Sequence, residues 1–457
     1  MRTYFSPFPT KALGKIEATD LNLLKDVNEG WYIEYKRILV SPKDIAKAIS
    51  AFSNTYGGFL FFGVEEKSKT ESVAGRCLGI PEKDIAGALQ CIRQSANHHL
   101  NPCPHFDLTV VFGPNEEMEL GAGMGVICIE IPMSPNAPIL HSDGRIYRRV
   151  AESAEPVIET DRYQLGLLWD RRKEMNEKYK RWIVRKPEQT IDQPGTPYAR
   201  ILFDADPYHA SGKTWGLSLD QVRDTLNTND GPRIPMETIY HSNLGIIARQ
   251  TSSLTRHEDF GLTILIGSGL RFEVWIPINL LEVTDPKDLK KPFSRCKNID
   301  NFIEILVRSR SKKTRVIDLN QIFGIVTTLS HVYTRLLRSA NLEIPVVGAK
   351  VICSSVMYSV PFIDSPPILK RFEKYGLPLA LTDATMVPYG YDADSFQEIN
   401  VPPSPMDSLM IGVFTFELFC RGLGITGLIP EEGEITDYVA FKEFYDSLLE
   451  AGQFKGS

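Results

Sequence analysis

Glu29-Gly-Trp-Tyr-Ile-Glu34-Tyr-Lys36 is followed, after one helix-length segment, by Ala51-Phe-Ser-Asn-Thr-Tyr-Gly57-Gly58-Phe-Leu-Phe-Phe-Gly63-Val-Glu65-Glu66. Residues 31 to 37 alternate as a strand does, which places Tyr32, Glu34 and Lys36 on one face and Ile33 and Tyr35 on the other. Ser41-Pro42-Lys43-Asp44 reads as a helix start: Ser41 caps, Pro42 suits the first helical position, and Asp44 faces the positive end of the dipole. Ile45, Ile49 and Phe52 follow at helical spacing. The helix is expected to stop at Gly57-Gly58, where positive φ is cheap, and residues 59 to 64 form an apolar run fit for a strand buried on both faces. Three or four carboxylates and a lysine thus gather at the ends of short strands. Such a cluster is either a hydrated metal site or a set of surface ion pairs.

An acid five residues before E-[FY]-K, then AF-x-NT-x-GG-x-L-x-x-GV and two acids, resembles the Schlafen AlbA_2 domain. The order downstream agrees, with a Gly79-Ile80 turn, a helix near 82 to 97, strands near 106 to 112 and 124 to 131, and Gly144-Arg-Ile-Tyr-Arg-Arg149. The resemblance spans roughly residues 17 to 165. It implies an α/β domain in which three carboxylates cut structured RNA, notably transfer RNA, with Mg²⁺ or Mn²⁺. By motif position those acids are Glu29, Glu34 and Glu66, the last standing where such nucleases usually carry Asp. Other members of the family are described only as DNA-binding or ATP-binding modules.

The chemistry of the residues allows the same reading. Hard oxygen ligands suit Mg²⁺ or Mn²⁺, and a metal on clustered carboxylates activates water or stabilises the leaving oxygen. Lys36 would neutralise charge building on the phosphate. The bland alternative is an exposed Glu34–Lys36 pair worth under about 1 kcal/mol. Glu65 and Glu66 point to opposite faces of a continuing strand, so only one joins the site; family spacing favours Glu66.

With 457 residues, 43% hydrophobic and 24% charged, the chain has room for two or three globular domains. The absence of an apolar leader and the scattered spacing of the seven cysteines lead us to expect a reducing cytoplasm. The net charge of −6 argues against a uniformly basic coat but not against local stripes. Arg171-Arg172-Lys173, Lys178, Lys180-Arg181 and Arg185-Lys186 make one stripe; Arg308, Arg310, Lys312, Lys313 and Arg315 make another. Arg148, Arg149, Arg172, Lys180 and Arg181 are the expected phosphate contacts, against the alternative of solvated faces.

The expected organisation is α+β: a Schlafen AlbA_2-like α/β domain over 17–165, a basic helix and Pro-rich linker over 166–198, and a mixed α/β region of unrecognised fold over 199–457. In that last region Leu262–Gly267 and Phe272–Pro277 read as strands, and residues 298 to 307, 321 to 340 and 408 to 421 as helices. Ile325, Leu329, Val332 and Leu336 mark the core face of the second helix. Ser211-Gly-Lys-Thr214 lacks the glycine and strand of a phosphate loop, and Gly422-Leu-Gly-Ile-Thr-Gly427 follows a helix where a dinucleotide site needs a strand. His98, His99, Cys103 and His105 fit no closed zinc spacing. Two function classes stand: a metal-dependent endoribonuclease, as in a prokaryotic antiphage defence effector, and a non-catalytic regulatory protein that binds nucleic acid or ATP. RNA and DNA remain open as partners. Because only one copy of the domain is recognisable, a homodimer or higher even-numbered oligomer is expected to complete the substrate groove.

Overall fold

The computed structural model describes residues 5–8, 11, 13–68, 71–150, 153–184, 195–205, 217–228, 231–250, 261–310, 313–340, 346–381, 396–400 and 407–425. The chain is mixed α+β and divides into two compact units at Trp182/Ile183.

The N-terminal unit is built on a five-stranded sheet. Strand β1 (Ile33–Lys36) leads to helix α1 (Pro42–Asn54) and returns as β2 (Gly58–Phe62), parallel to β1, with Glu34 level with Leu60. The helix begins as the sequence predicts, with the Ser41 hydroxyl accepting from the Asp44 amide. After a small hairpin, β3 (Val64–Glu66) and β4 (Ala74–Cys77), come β5 (Ile80–Pro81), helix α2 (Glu82–His99), β6 (Leu100–Asn101), β7 (Asp107–Phe112) and β8 (Met124–Ile131). Strand β8 runs antiparallel to β2, β7 and β5. The unit is completed by β9 (Leu140–His141), the hairpin β10 (Tyr147–Val150) and β11 (Ser153–Ile158), and helix α3 (Arg162–Val184).

Alternation along β2 and β8 explains the layers. Leu60, Phe62, Ile127, Ile129 and Ile131 pack on Ile45, Ile49 and Phe52 of α1 and Ile85 and Ile92 of α2. On the other face Phe59, Phe61, Val126 and Cys128 pack on Phe8, Leu21 and Leu24. A strand covered on both sides reads as an unbroken apolar run, which is what residues 59 to 62 are.

Gly57 is required by geometry. Its φ is +76°, and a Cβ there would lie 2.7 Å from the Ile131 carbonyl and 2.8 Å from the Met133 amide nitrogen. Gly57→Ala is expected to cost at least about 1–3 kcal/mol, since both the backbone conformation and the contact are unfavourable for an L residue. A urea transition displaced by less than that would show the turn to be pliable.

The second unit centres on a seven-stranded antiparallel sheet that includes Tyr198–Asp204, Thr263–Ile266, Phe272–Pro277 and Val346–Ser354. Helices Leu319–Ser339 and Asp407–Gly422 pack against each other beside it. On the first of these Leu329, Val332 and Leu336 are buried as expected, together with Ile322, Val326 and Tyr333, while Ile325 is half-buried. Arg200 and Glu273 form a buried ion pair within the large sheet. The 187–197 linker lies mostly, and Ser211–Thr214 wholly, outside the described residues.

Candidate functional site: a carboxyl pair beside a braced lysine

The first glutamate of the quoted stretch lies in the loop before β1. Its carboxyl accepts from the Tyr35 amide and shares a hydrogen bond with the Glu66 carboxyl from β3. Burial, and then the hydrogen bond with the Glu66 carboxyl, push the Glu29 pKa up to about 8. Glu65 points away: it takes Arg76 Nε at 2.7 Å and Arg37 Nη1 at 3.4 Å. The strand alternation that separates Glu65 from Glu66 therefore brings Glu66 to Glu29.

Glu34 is buried at 2% exposure and faces two cations. Lys36 Nζ stands 3.0 Å from Oε1 and Arg149 Nη1 stands 2.8 Å from Oε2. Burial lowers the Lys36 pKa, but the field and hydrogen bond of Glu34, helped by Glu155 and Glu29, outweigh it and raise the value. Lys36 is therefore a firmly charged ammonium, paired with Glu34 and Glu155 and within the field of Glu29.

Arg149, expected as a phosphate contact, is instead enclosed at 0% exposure. Its guanidinium also donates to the Gly30 carbonyl from Nε at 2.9 Å and Nη2 at 2.6 Å, and lies 4.8 Å from the centre of the Phe52 ring. Its amide donates to Thr55 Oγ1 at 2.9 Å. A guanidinium is unusual in having enough planar donors to satisfy a carboxylate and two carbonyls at once, which is why arginine occupies a site this dry. Arg148 is likewise engaged, with Glu159 and Gln164 both at 2.7 Å.

Asn54 and Thr55 were not singled out from the sequence, yet they seat this brace. The Asn54 amide nitrogen donates to the Ile139 and Tyr147 carbonyls at 3.0 Å, and its oxygen accepts from the Ile139 amide at 2.7 Å. The helix end is thereby tied to the strand that carries Arg149. A signal was present: buried Asn-Thr directly before a glycine pair, at a helix terminus, marks side chains spent on backbone groups.

Helix α3 corrects the basic stripe. At 3.6 residues per turn, Arg172, Lys180 and Arg181 do not share a face, whereas Arg162, Trp169, Lys173, Asn176 and Lys180 do. All five are exposed, Trp169 at 66%. Arg171 turns inward to the Ser134 and Asn54 carbonyls, both at 3.2 Å. The second basic cluster is only partly offset: Lys313 and Arg315 share Glu282 at 2.6 and 3.2 Å, and Arg308 pairs with Glu304 at 3.4 Å. Lys312 lies outside the described residues.

The donor chemistry fits a hard cation in part. Two facing carboxyls form an oxygen-donor seat, and a cation held there would displace the proton that the raised Glu29 pKa retains. Glu34 joins such a seat only by giving up Arg149 or Lys36. Among the described residues no group of three or more His, Cys, Asp or Glu is placed to hold a metal. The elevated Glu29 pKa has a stability consequence. The native state keeps a proton that the unfolded chain loses above about pH 4.5, so this contribution is complete below that pH and is lost as pH rises through about 8. Urea midpoints are expected to fall across that window, and Glu29→Gln to flatten the fall; an equal slope in the variant would remove Glu29 as its source.

Residues 29–158 match the family described as Schlafen, AlbA_2, which ties this part of the chain to nuclease or nucleic-acid-related function. No curated protein matches the chain. The crystal structure of the DIP2311 protein from Corynebacterium diphtheriae is similar at 18% identity with a TM-score of 0.19, a likeness too loose to bear on the fold. It covers 36% of this chain and 29% of that one. Among the described residues no helix is long and apolar enough to cross a membrane.

Proposed function

We propose that the Schlafen AlbA_2 domain of residues 29–158 makes this protein a divalent-metal-dependent endoribonuclease that cuts structured RNA, transfer RNA foremost, in the manner of a prokaryotic defence effector. The observation that carries the reading is the meeting of Glu29 and Glu66, brought from separate elements, with the charged Lys36 close by. Glu29 and Glu66 would hold Mg²⁺ or Mn²⁺, which would supply Lewis acidity toward water and phosphate oxygen. The remaining work falls to the chain's own groups. Lys36 offsets negative charge that builds on the phosphate oxygens, and it is held in place and kept charged by Glu34. Arg149 in turn fixes Glu34.

Whole protein incubated with total RNA is expected to yield discrete fragments with Mn²⁺ or Mg²⁺ and none with chelator. Intact RNA under every metal condition overturns the reading. The second reading, a regulatory module that binds nucleic acid or ATP without cutting, is favoured by one observation, the neutralisation of Glu34 by two cations. Binding that ignores chelator, without cleavage, would establish it.

The exposed face of α3 is the proposed backbone track. Reversing Arg162, Lys173 and Lys180 to Glu is expected to weaken RNA binding for all sequences alike and to reduce the slope of log affinity against log salt by roughly 0.7–0.9 per lost contact. Reversing Arg172 and Arg181, which lie off that face, is expected to do less. Equal effects from the two sets would dissolve the face into a diffuse field.

A further inference from the structure

The loop that carries Glu29 also walls a cavity of about 350 Å³, whose lining includes Phe5, Asp26, Glu29, Trp31 and Tyr32. That volume lies near the lower end of small-molecule cavities, roughly 300–1,000 Å³, and suits one base with its sugar. The rings are contiguous: Phe5 lies 5.9 Å from Tyr32, Tyr32 lies 6.2 Å from Tyr56, and Tyr56 lies 5.4 Å from Trp31, between centroids. The loop is held before any ligand arrives. Gly30 accepts twice from Arg149, the Glu29 amide donates to the Ser72 carbonyl at 2.8 Å, and the Tyr35 hydroxyl donates to the Val27 carbonyl at 2.9 Å. A preformed aromatic wall suits a flat π-faced ligand. Of the two carboxyls in the lining, Glu29 is already engaged with Glu66 and the Tyr35 amide, while Asp26 is exposed. One water-screened carboxylate is a weak trap for an organic cation but a sufficient acceptor for a ligand edge with adjacent N–H donors.

We infer that this cavity is a nucleobase subsite that stacks one base of the RNA strand and prefers guanine, whose N1–H and N2–H₂ groups present adjacent donors to Asp26. The inference rests on the RNA-cleaving reading for the identity of the strand. Because Glu29 belongs both to the cavity and to the carboxyl pair, the stacked nucleotide flanks the cleavage point.

Guanosine is the probe, since it has no phosphate for the carboxyl pair or its metal to hold. Equilibrium dialysis against the whole protein in chelator is expected to show saturable binding, about tenfold or more tighter than uridine. Trp31→Ala and Asp26→Asn are each expected to weaken it about tenfold, and Glu65→Gln, outside the cavity and the carboxyl pair, to leave it unchanged. Asp26 is exposed, so its variant tests the edge contact without a folding penalty. Absent guanosine binding, binding indifferent to both variants, or displacement by tetramethylammonium overturns the subsite. RNA cleavage is scored separately: cleavage without guanosine binding removes the subsite alone, and guanosine binding without any cleavage removes the nuclease reading alone.

Discussion

Arg149→Met is expected to destabilise the N-terminal unit by about 3–5 kcal/mol, because it leaves the buried Glu34 carboxylate short of its strongest partner. The Gly30 and Ile33 carbonyls lose donors in the same step. Arg149→Lys keeps the charge but not the fork, and is expected to recover only part of the loss. The double variant Arg149→Met, Glu34→Gln removes the orphaned charge as well, so its cost is expected to be smaller than the sum of the two single changes. Urea unfolding of the whole chain, followed through the N-terminal transition, makes the comparison. A single-variant cost below about 1 kcal/mol would place the pair with solvated surface bridges, against its burial.

Glu66→Gln is expected to lower RNA cleavage by about 10²-fold or more while the fold and the urea midpoint hold, since a half-buried carboxyl at a strand end supports chemistry more than packing. Glu29→Gln is expected to lower cleavage likewise. Glu65→Gln breaks only the bridges to Arg76 and Arg37 and is expected to leave cleavage within about twofold. The contrast between neighbouring residues is the informative part, because both changes remove one charge from the same strand. If Glu65→Gln inactivates and Glu66→Gln does not, the carboxyl pair of this structure is not the cleaving centre.

Much of the N-terminal unit could be read from short-range rules. Ser41-Pro42 set the start of α1, the apolar run after Gly58 set a strand covered on both faces, and alternation separated Glu65 from Glu66. Those features depend on backbone geometry and side-chain period alone, which act over a few residues. The pairing of β1 with β2 also lay within reach, since a strand, one helix and a strand favour a parallel crossover.

What the sequence could not reveal were the partners that arrive from far along the chain. Arg149 looked like one of several surface cations in Arg-Ile-Tyr-Arg-Arg, yet 115 positions separate it from the carboxylate it holds. Arg171 sat in a basic run and turned inward to the end of α1. No local rule distinguishes a solvated arginine from a buried one, because the difference is a desolvation cost offset by acceptors the fold brings from elsewhere. The same holds for the acids. Motif order marked Glu29, Glu34 and Glu66 together, whereas the tertiary structure divided them into a Glu29–Glu66 carboxyl pair and a third carboxylate locked between Arg149 and Lys36. Sequence by itself determined which residue types meet at the ends of these strands; packing decided which of them face one another, because charge and burial are settled only when the whole unit closes.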